Sequence, residues 1–556
     1  MSRRLKKESV SADANEYRTS NSPLIMVRWL INLYLIVIVT VFPFVISPGY
    51  TRTSYLKFGL LMSATYGIQL YGIIIPTFIP LSALLIIIGT VIYIKDTGSS
   101  TADFIRRIKL SKVDIFVLLY LLVLAISSLV SPYKDELLIG YETWNMGLAT
   151  QFMFIYLYLV MSRFFDIYDT ELLIYASLAS SGMVFLIGIL QRLGFDIFSL
   201  YIALPLELFN RFLSTIGQVS WFSSYLMVFL PISLFLVWHE ERSAVLWTVS
   251  LIHLVISSMA LVMQDMDSGF FTIFMVLSVL FTVSWGDMSR ILRALESCLI
   301  ILLSFRLAGL LQMIFRDRMT WIDPLSLYVS QGALIWAVIA VLAIVYGVLR
   351  YAGDHGMDKG RESVKVIPGI YWTMILILGA GMIIYIVLNT TGRLPEALRS
   401  TNRYLVFDPM WGNVRGAIWH DAACSYIAEI RNDPVHALFG VGADQFYHVI
   451  QDYVHDQTIM CEPNVVLTNA HNEILTAIIN YGLLGGVIYA GIFAGSIVRY
   501  MKTKKECIYS ICTLLCVTAY VSHNVFCYQQ FIATTYIFII MGIGEQYIRN
   551  KYSKNP

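Results

Sequence analysis

Apolar runs long enough to cross a bilayer recur along almost the whole chain. A helix needs about 20 consecutive apolar residues to span the hydrocarbon core, and many of the runs reach that length. They fall at 29–46, 58–94, 113–131, 149–165, 171–191, 220–238, 244–263, 269–285, 294–315, 330–349, 367–389, 474–498, 507–525 and 529–547. The pattern predicts an all-α polytopic membrane protein with about 12–14 transmembrane helices. Composition agrees, because 57% of the 556 residues are hydrophobic and 14% charged, against about 25% charged in a soluble domain. The net charge of +2 gives no reason to expect a nucleic-acid partner.

Lys and Arg accumulate on the cytoplasmic side of membrane proteins. The 58–94 run is too long for one straight crossing and holds Pro76 and Pro80. It reads as a kinked helix, or as a span with a re-entrant piece. Counted as one crossing, it puts "SRRLKK", "RRIKLSK" (106–112), "RYMKTKK" (499–505) and "RNKYSK" (549–554) on one side, with both termini inside. The chain then divides into a polar N-tail (1–24) unlike a cleavable signal peptide, a first bundle (25–388), a large extracytoplasmic loop (389–472), further spans (473–548) and a short tail (549–556).

That loop holds five of the nine histidines, and a connection of such length is usually functional. Cys424 and Cys461 both lie in it and could pair. Cys298, Cys507, Cys512 and Cys516 fall in or beside spans, where a thiol packs as a small apolar group. No metal-ligand spacing occurs. From Arg415 to Arg431, Ile418, Ala422, Ile427 and Ile430 recur at helical spacing until Asn432-Asp433-Pro434, which predicts an amphipathic helix on the membrane's outer face. Arg415 and Trp419 share a side of it. A guanidinium matches phosphate oxygens two at a time, although a solvated Arg beside an interfacial Trp gives the same pattern.

The loop ends at "TNAHNEILTAIINYGLLGG" (468–486). Asn469 is a good N-cap, which would put Ala470, His471 and Asn472 in the first helical turn. His471 either caps the span with Asn472 or, kept neutral by the helix dipole, acts as a base. Outside another span, Arg211 in "RFLSTIGQVSWFSSYL" is an interfacial anchor or a phosphate clamp. The paired aspartates of "QDMDSGFF" (264–271) read as solvated turn residues in preference to a cation site, and Arg306 within a span has no assigned role.

Together these pieces resemble the O-antigen ligase and O-antigen polymerase superfamily. In this chain the matching order is Arg415, Trp419, Asp433-Pro434, Gly440-Val441-Gly442, Phe446, His471-Asn472 and Gly482-Leu483-Leu484-Gly485. The chain departs from the family's usual residues at Gln218, at Ser268-Gly269 and at Trp144 of "GYETWNMGL". The resemblance implies a bacterial inner-membrane enzyme with its active site on the extracytoplasmic face. It would transfer a glycan from an undecaprenyl-diphosphate donor to a glycan or lipid acceptor, as ligase or polymerase, with inversion and without metal or cofactor. It further implies His471, Arg415 and Arg211 as catalytic residues. Trp419, Asn472, Gln218, Gly442 and Asp444 would bind substrate, and membrane lipids would surround the bundle.

Three other readings compete. A lipid-linked glycan flippase suits the span count, but it needs charges distributed among its spans and has no use for so long a loop. A cell-wall-type polymerase would rely on a loop carboxylate, with Asp421, Glu429, Asp433, Asp444 and Asp452 as candidates. A scaffold explains neither the loop nor its clustered His and Arg.

Overall fold

The computed structural model describes residues 22–66, 68–70, 73–75, 110–142, 144–165, 170–202, 204–239, 243–319, 323–355, 366–453 and 467–554. The chain is 78% helical, and ten of the described helices are long and apolar enough to cross a membrane. It is an all-α, multi-pass membrane protein.

The helices that fall on the expected spans are α1 (Ser22–Thr40), α3 (Lys112–Val130), α4 (Leu148–Phe164), α5 (Thr170–Arg192), α6 (Val219–Trp238), α7 (Ala244–Met263), α8 (Ser268–Ser284), α9 (Met288–Ile314), α11 (Ala333–Asp354), α12 (Val366–Thr390), α16 (Glu473–Thr503), α17 (Tyr509–Asn524) and α18 (Phe531–Lys554); α4, α8 and α17 are shorter than the ten. All the expected spans but one are therefore helices. The exception is 58–94. There α2 (Thr53–Tyr66) is followed by a two-stranded pair, Ile68–Leu70 with Ile73–Ile75, and the rest of that run lies outside the described residues. Tyr50 lies at the end of the bundle that carries Ser214, to whose carbonyl it donates. Asp114 lies at the other end with Arg163.

Helix α6 is the axis of the bundle, with 89% of its apolar window buried. It packs on α7 and α17, while α3 pairs with α16 and α4 with α18. In contrast, 6% of the window of α11 and none of that of α12 is buried. Helices apolar on every side and uncovered by protein are stable where lipid surrounds them. At the Asp114 end, Arg163, Arg499 and Arg549 pair with the buried carboxylates of Asp114 and Glu545, joining α3, α4, α16 and α18.

The long loop carries three short helices, α13 (Trp411–Asn432), α14 (Pro434–Phe439) and α15 (Phe446–Tyr453). A further short helix, α10 (Pro324–Gln331), lies between α9 and α11. The amphipathic helix is present, but its buried face differs from the expected one. Ile418 and Ala422 are buried, whereas Ile427 and Ile430 are half exposed. Ser425 and Glu429 take the inner positions, because the i, i+4, i+7 row from Ile418 runs through them. This row packs on Val441, Phe446, Val449, Ile450, Ala470 and Ile479. The Cys424–Cys461 pairing falls partly outside the described residues.

Candidate functional site

The loop that carries His471 is built from the inside out. Asn469 accepts from His471 N at 3.0 Å, a side-chain turn that spends the oxygen expected to cap the helix. Capping passes to Asn472, whose side chain accepts from Leu475 N at 2.9 Å. The helix therefore starts at Glu473, and His471 stands before it with φ +48°. Asn472 also donates to Val525 O at 3.1 Å. It binds the segment between α17 and α18 and is not turned to open space.

Helix α13 brings Arg415 to the same place. Trp419 donates from its indole to Ala470 O at 3.0 Å, which docks the helix on the His471 loop. Residues 412–414 have φ of 59°, 60° and 72°, so the regular helix begins at Arg415. Val414 is β-branched and rarely adopts such a φ. Left-handed non-glycine residues recur nearby at Asn145, Asp444 and His471, and strain of this kind concentrates at functional sites. One arm of Arg415 donates to Gly412 O, while its Nε is buried with no hydrogen-bond partner among the described residues.

The Arg415 charge acts on His471, His523, Cys527, Asp267 and Tyr528, so these groups stand within electrostatic reach of it. Burial, and then the Arg415 charge, push the His471 imidazole down to about 3. It is neutral at any ordinary pH, as a base must be before it takes a proton.

Two aromatic walls flank the pair. On one side Trp419 stacks on Phe526 at 6.3 Å and touches Trp411 at 5.3 Å, and Phe407 closes the group. On the other, the Tyr528 ring meets His471 at 5.0 Å and Trp144 at 4.9 Å. The Tyr528 hydroxyl donates to Gln218 Oε1 at 2.8 Å. Gln218 thus reaches the site through Tyr528.

The remaining expected site residues are placed differently. Gly442 donates its N–H to Asn480 O at 2.9 Å and has φ +109°. A side chain there would run into Leu137 and Ser131, so it shapes a contact and has no free donor for a ligand. Gly440 and Gly482 serve the same contact: a Cβ on Gly440 would meet the main chain of Asn480 and Tyr481, and one on Gly482 that of Leu438 and Phe439. The carboxylate of Asp444 accepts from Tyr141 N at 2.9 Å and Met146 N at 3.1 Å. It clamps the 141–146 turn, and burial raises it to about 7. Arg211 is exposed at the end of a 3-10 turn, Leu206–Arg211. The next residue, Phe212, pairs with Gln218, but no described contact joins the Arg211 side chain to Arg415 or His471. The buried arginine of that region is Arg192. It donates to Met263, Phe209 and Asn210 carbonyls and pairs with Asp265 at 3.3 Å.

Sequence reasoning missed His523. Its Nδ1 lies 3.2 Å from Ser268 Oγ and its Nε2 3.1 Å from Ser224 Oγ. Ser224 donates to Ser220 O, so it accepts from Nε2–H and leaves Nδ1 to accept from Ser268. A signal was present, because His523-Asn524 repeats the His471-Asn472 dipeptide. The two pairs interlock. Asn524 donates to Glu473, which also accepts from Tyr489 and Tyr520. Comparison with protein-family models finds no family that matches this chain, and a search of curated proteins finds no relative.

Proposed function

We propose that the protein transfers a glycan from a polyprenyl-diphosphate donor to an acceptor hydroxyl, as an O-antigen ligase or surface-polysaccharide polymerase of the bacterial cytoplasmic membrane. The single observation that carries this reading is the convergence of Arg415 and His471 on one aromatic-walled site at one end of a membrane bundle. The residue order that resembles the ligase and polymerase superfamily supplies the chemistry.

In this reading the acceptor oxygen attacks the anomeric carbon from the face opposite the diphosphate. The bond between that carbon and the diphosphate oxygen breaks, and the electron pair leaves with the diphosphate. Configuration inverts. Arg415 meets the growing negative charge, with its free Nε among the available donors. Arg211 would give a second, weaker contact from the solvent side. His471 takes the acceptor proton. Its low proton affinity in the free protein would rise as the donor's anion offsets the Arg415 charge. Neither a metal nor a cofactor is invoked, since guanidinium supplies the counter-charge. The site would face the extracytoplasmic side, where the donor's glycan lies.

The test is to express Arg415→Ala and His471→Ala in place of the wild type and resolve the surface glycan on a gel. Loss of long or attached glycan in both is expected. Unchanged glycan length and attachment in both variants would overturn the proposal.

A further inference from the structure

A crevice runs along the bundle between α1, α5, α6, α17 and α18. Phe229 and Tyr536 line its inner end, and Thr170, Leu236, Tyr509 and Tyr547 line its mouth. Phe229 stands at the middle of α6, so the inner end lies near the middle of the membrane. The mouth is at the Asp114 end of the bundle, because Tyr547 precedes by two residues Arg549, which pairs with Asp114. At ~1.5 Å per residue the step from Tyr536 to Tyr547 covers ~16 Å, about half of the ~30 Å hydrocarbon core. The crevice therefore has the length of one leaflet, and it opens at the end opposite to Arg415 and His471.

Its walls offer carbon. The hydroxyls along it are spent within the protein: Tyr536 donates to Ile38 O, Ser177 to Leu173 O and Tyr547 to Thr170 Oγ1, each at 2.7 Å. An occupant finds no free hydroxyl partner in these three and must be apolar where it lies against them.

The mouth has the opposite character. Tyr509 and Tyr547 stack at 4.5 Å, and Tyr509 meets Phe235 at 6.3 Å, which in turn meets Trp238 at 6.2 Å. Tyr and Trp rings gather at the level of lipid headgroups. Arg290 lies over the Trp238 ring at 5.8 Å. Lys504 stands beside Lys505 and within electrostatic reach of Arg290. Arg290 has Asp287 at 3.4 Å, but neither lysine has a carboxylate partner among the described residues. An unanswered positive charge thus sits over an apolar slot one leaflet deep.

A slot for a chain beneath cations for a headgroup fits a single molecule. We propose that the crevice binds an anionic glycerophospholipid of the leaflet at this end, with one acyl chain in the slot and the phosphate on Lys504 and Lys505. The site lies at the other end of the bundle from the transfer chemistry and stands or falls independently of that reading.

The experiment titrates the full chain in detergent micelles with phosphatidylglycerol or with phosphatidylcholine of the same acyl chains, and counts bound lipid by native mass spectrometry. A basic side chain at an anionic surface is worth about fivefold in affinity, so the two lysines should favour phosphatidylglycerol by about twenty-fivefold. Lys504→Gln combined with Lys505→Gln should bring phosphatidylglycerol down to the phosphatidylcholine level and leave the latter unchanged. Ile543→Trp, which fills the slot from its wall, should displace both lipids. If Ile543→Trp fails to fold, Ile543→Phe, a smaller filler, should weaken both. Equal binding of the two lipids by the wild type, a preference that survives loss of both lysines, or undiminished binding in the folded slot-filling variant overturns the site.

Discussion

The indole N–H of Trp419 donates to the main-chain carbonyl of Ala470, the residue before His471, at 3.0 Å. One side chain thus ties the amphipathic helix that presents Arg415 to the loop that presents the imidazole. The placement of the guanidinium relative to the imidazole depends on this bond and on the ring contacts around it.

Trp419→Phe keeps the stacking on Phe526 and removes the donor. The loss should be about 1 kcal/mol, that of one neutral hydrogen bond, and should be local. Hydrogen exchange should speed up at 468–472 while the amides of α6 stay protected. Uniform exchange across the chain would show that the bond does not couple the two segments.

His471 is held at about 3, far below the ordinary histidine value of about 6.5. As pH falls below 6.5, the unfolded chain takes up a proton that the folded one refuses, so this group costs stability between pH 6.5 and 3. For catalysis the imidazole stays neutral throughout that window. The acid limb of kcat/KM for glycan transfer should therefore lie well below 6.5, while that of kcat, measured with donor bound, lies higher. A kcat/KM limb at 6.5 would remove His471 as the base.

Asp444 has the opposite sign. Burial raises its carboxyl to about 7, so the folded protein keeps a proton that the unfolded chain loses near pH 4, and the group's contribution fades as pH rises through 7. Asp444→Asn retains an acceptor for the turn and should match the wild type in thermal unfolding at pH 5 and exceed it at pH 8. Asp444→Ala leaves two main-chain N–H groups unpaired and should cost about 1–3 kcal/mol for each that stays buried. An Asn variant less stable than wild type at pH 8 would contradict the sign.

Gly482 has φ +69°, and a Cβ there would strike the main chain of Leu438 and Phe439. Gly482→Ala should cost about 1–3 kcal/mol from overpacking, with left-handed strain in addition. Its thermal unfolding midpoint in detergent should drop by several degrees, whereas Gly379→Ala, open on all sides, should not move it.

The spans were legible because bilayer thickness imposes a length that composition alone reveals, and α6, α7 and α9 fall close to where the apolar runs place them. Arg415, Trp419 and His471 were legible as a motif, and the structure brings them together. What the sequence hid were tertiary choices. Asn469 and Asn472 are equally good caps by type, and only the local turn at Asn469 decides between them. Ile427 and Ile430 are apolar but face outward, while Glu429 is buried, an inversion that periodicity cannot show. The family resemblance implies Asp444 and Gly442 as substrate contacts, yet their partners, Tyr141, Met146 and Asn480, are 38 or more residues away along the chain.

Glu473 begins the helix two residues after His471 and accepts from Tyr489, Tyr520 and Asn524. Two of those donors belong to α17. A vertical slip of α16 against α17 by even one residue, about 1.5 Å, would tear all of these bonds from α17 at once. The imidazole therefore keeps a fixed depth whatever the thickness of the surrounding lipid. Thinner or thicker membranes would be absorbed by tilting α11, of whose window 6% is buried, whereas α12 is tied at Thr390 to Phe407 of the aromatic wall.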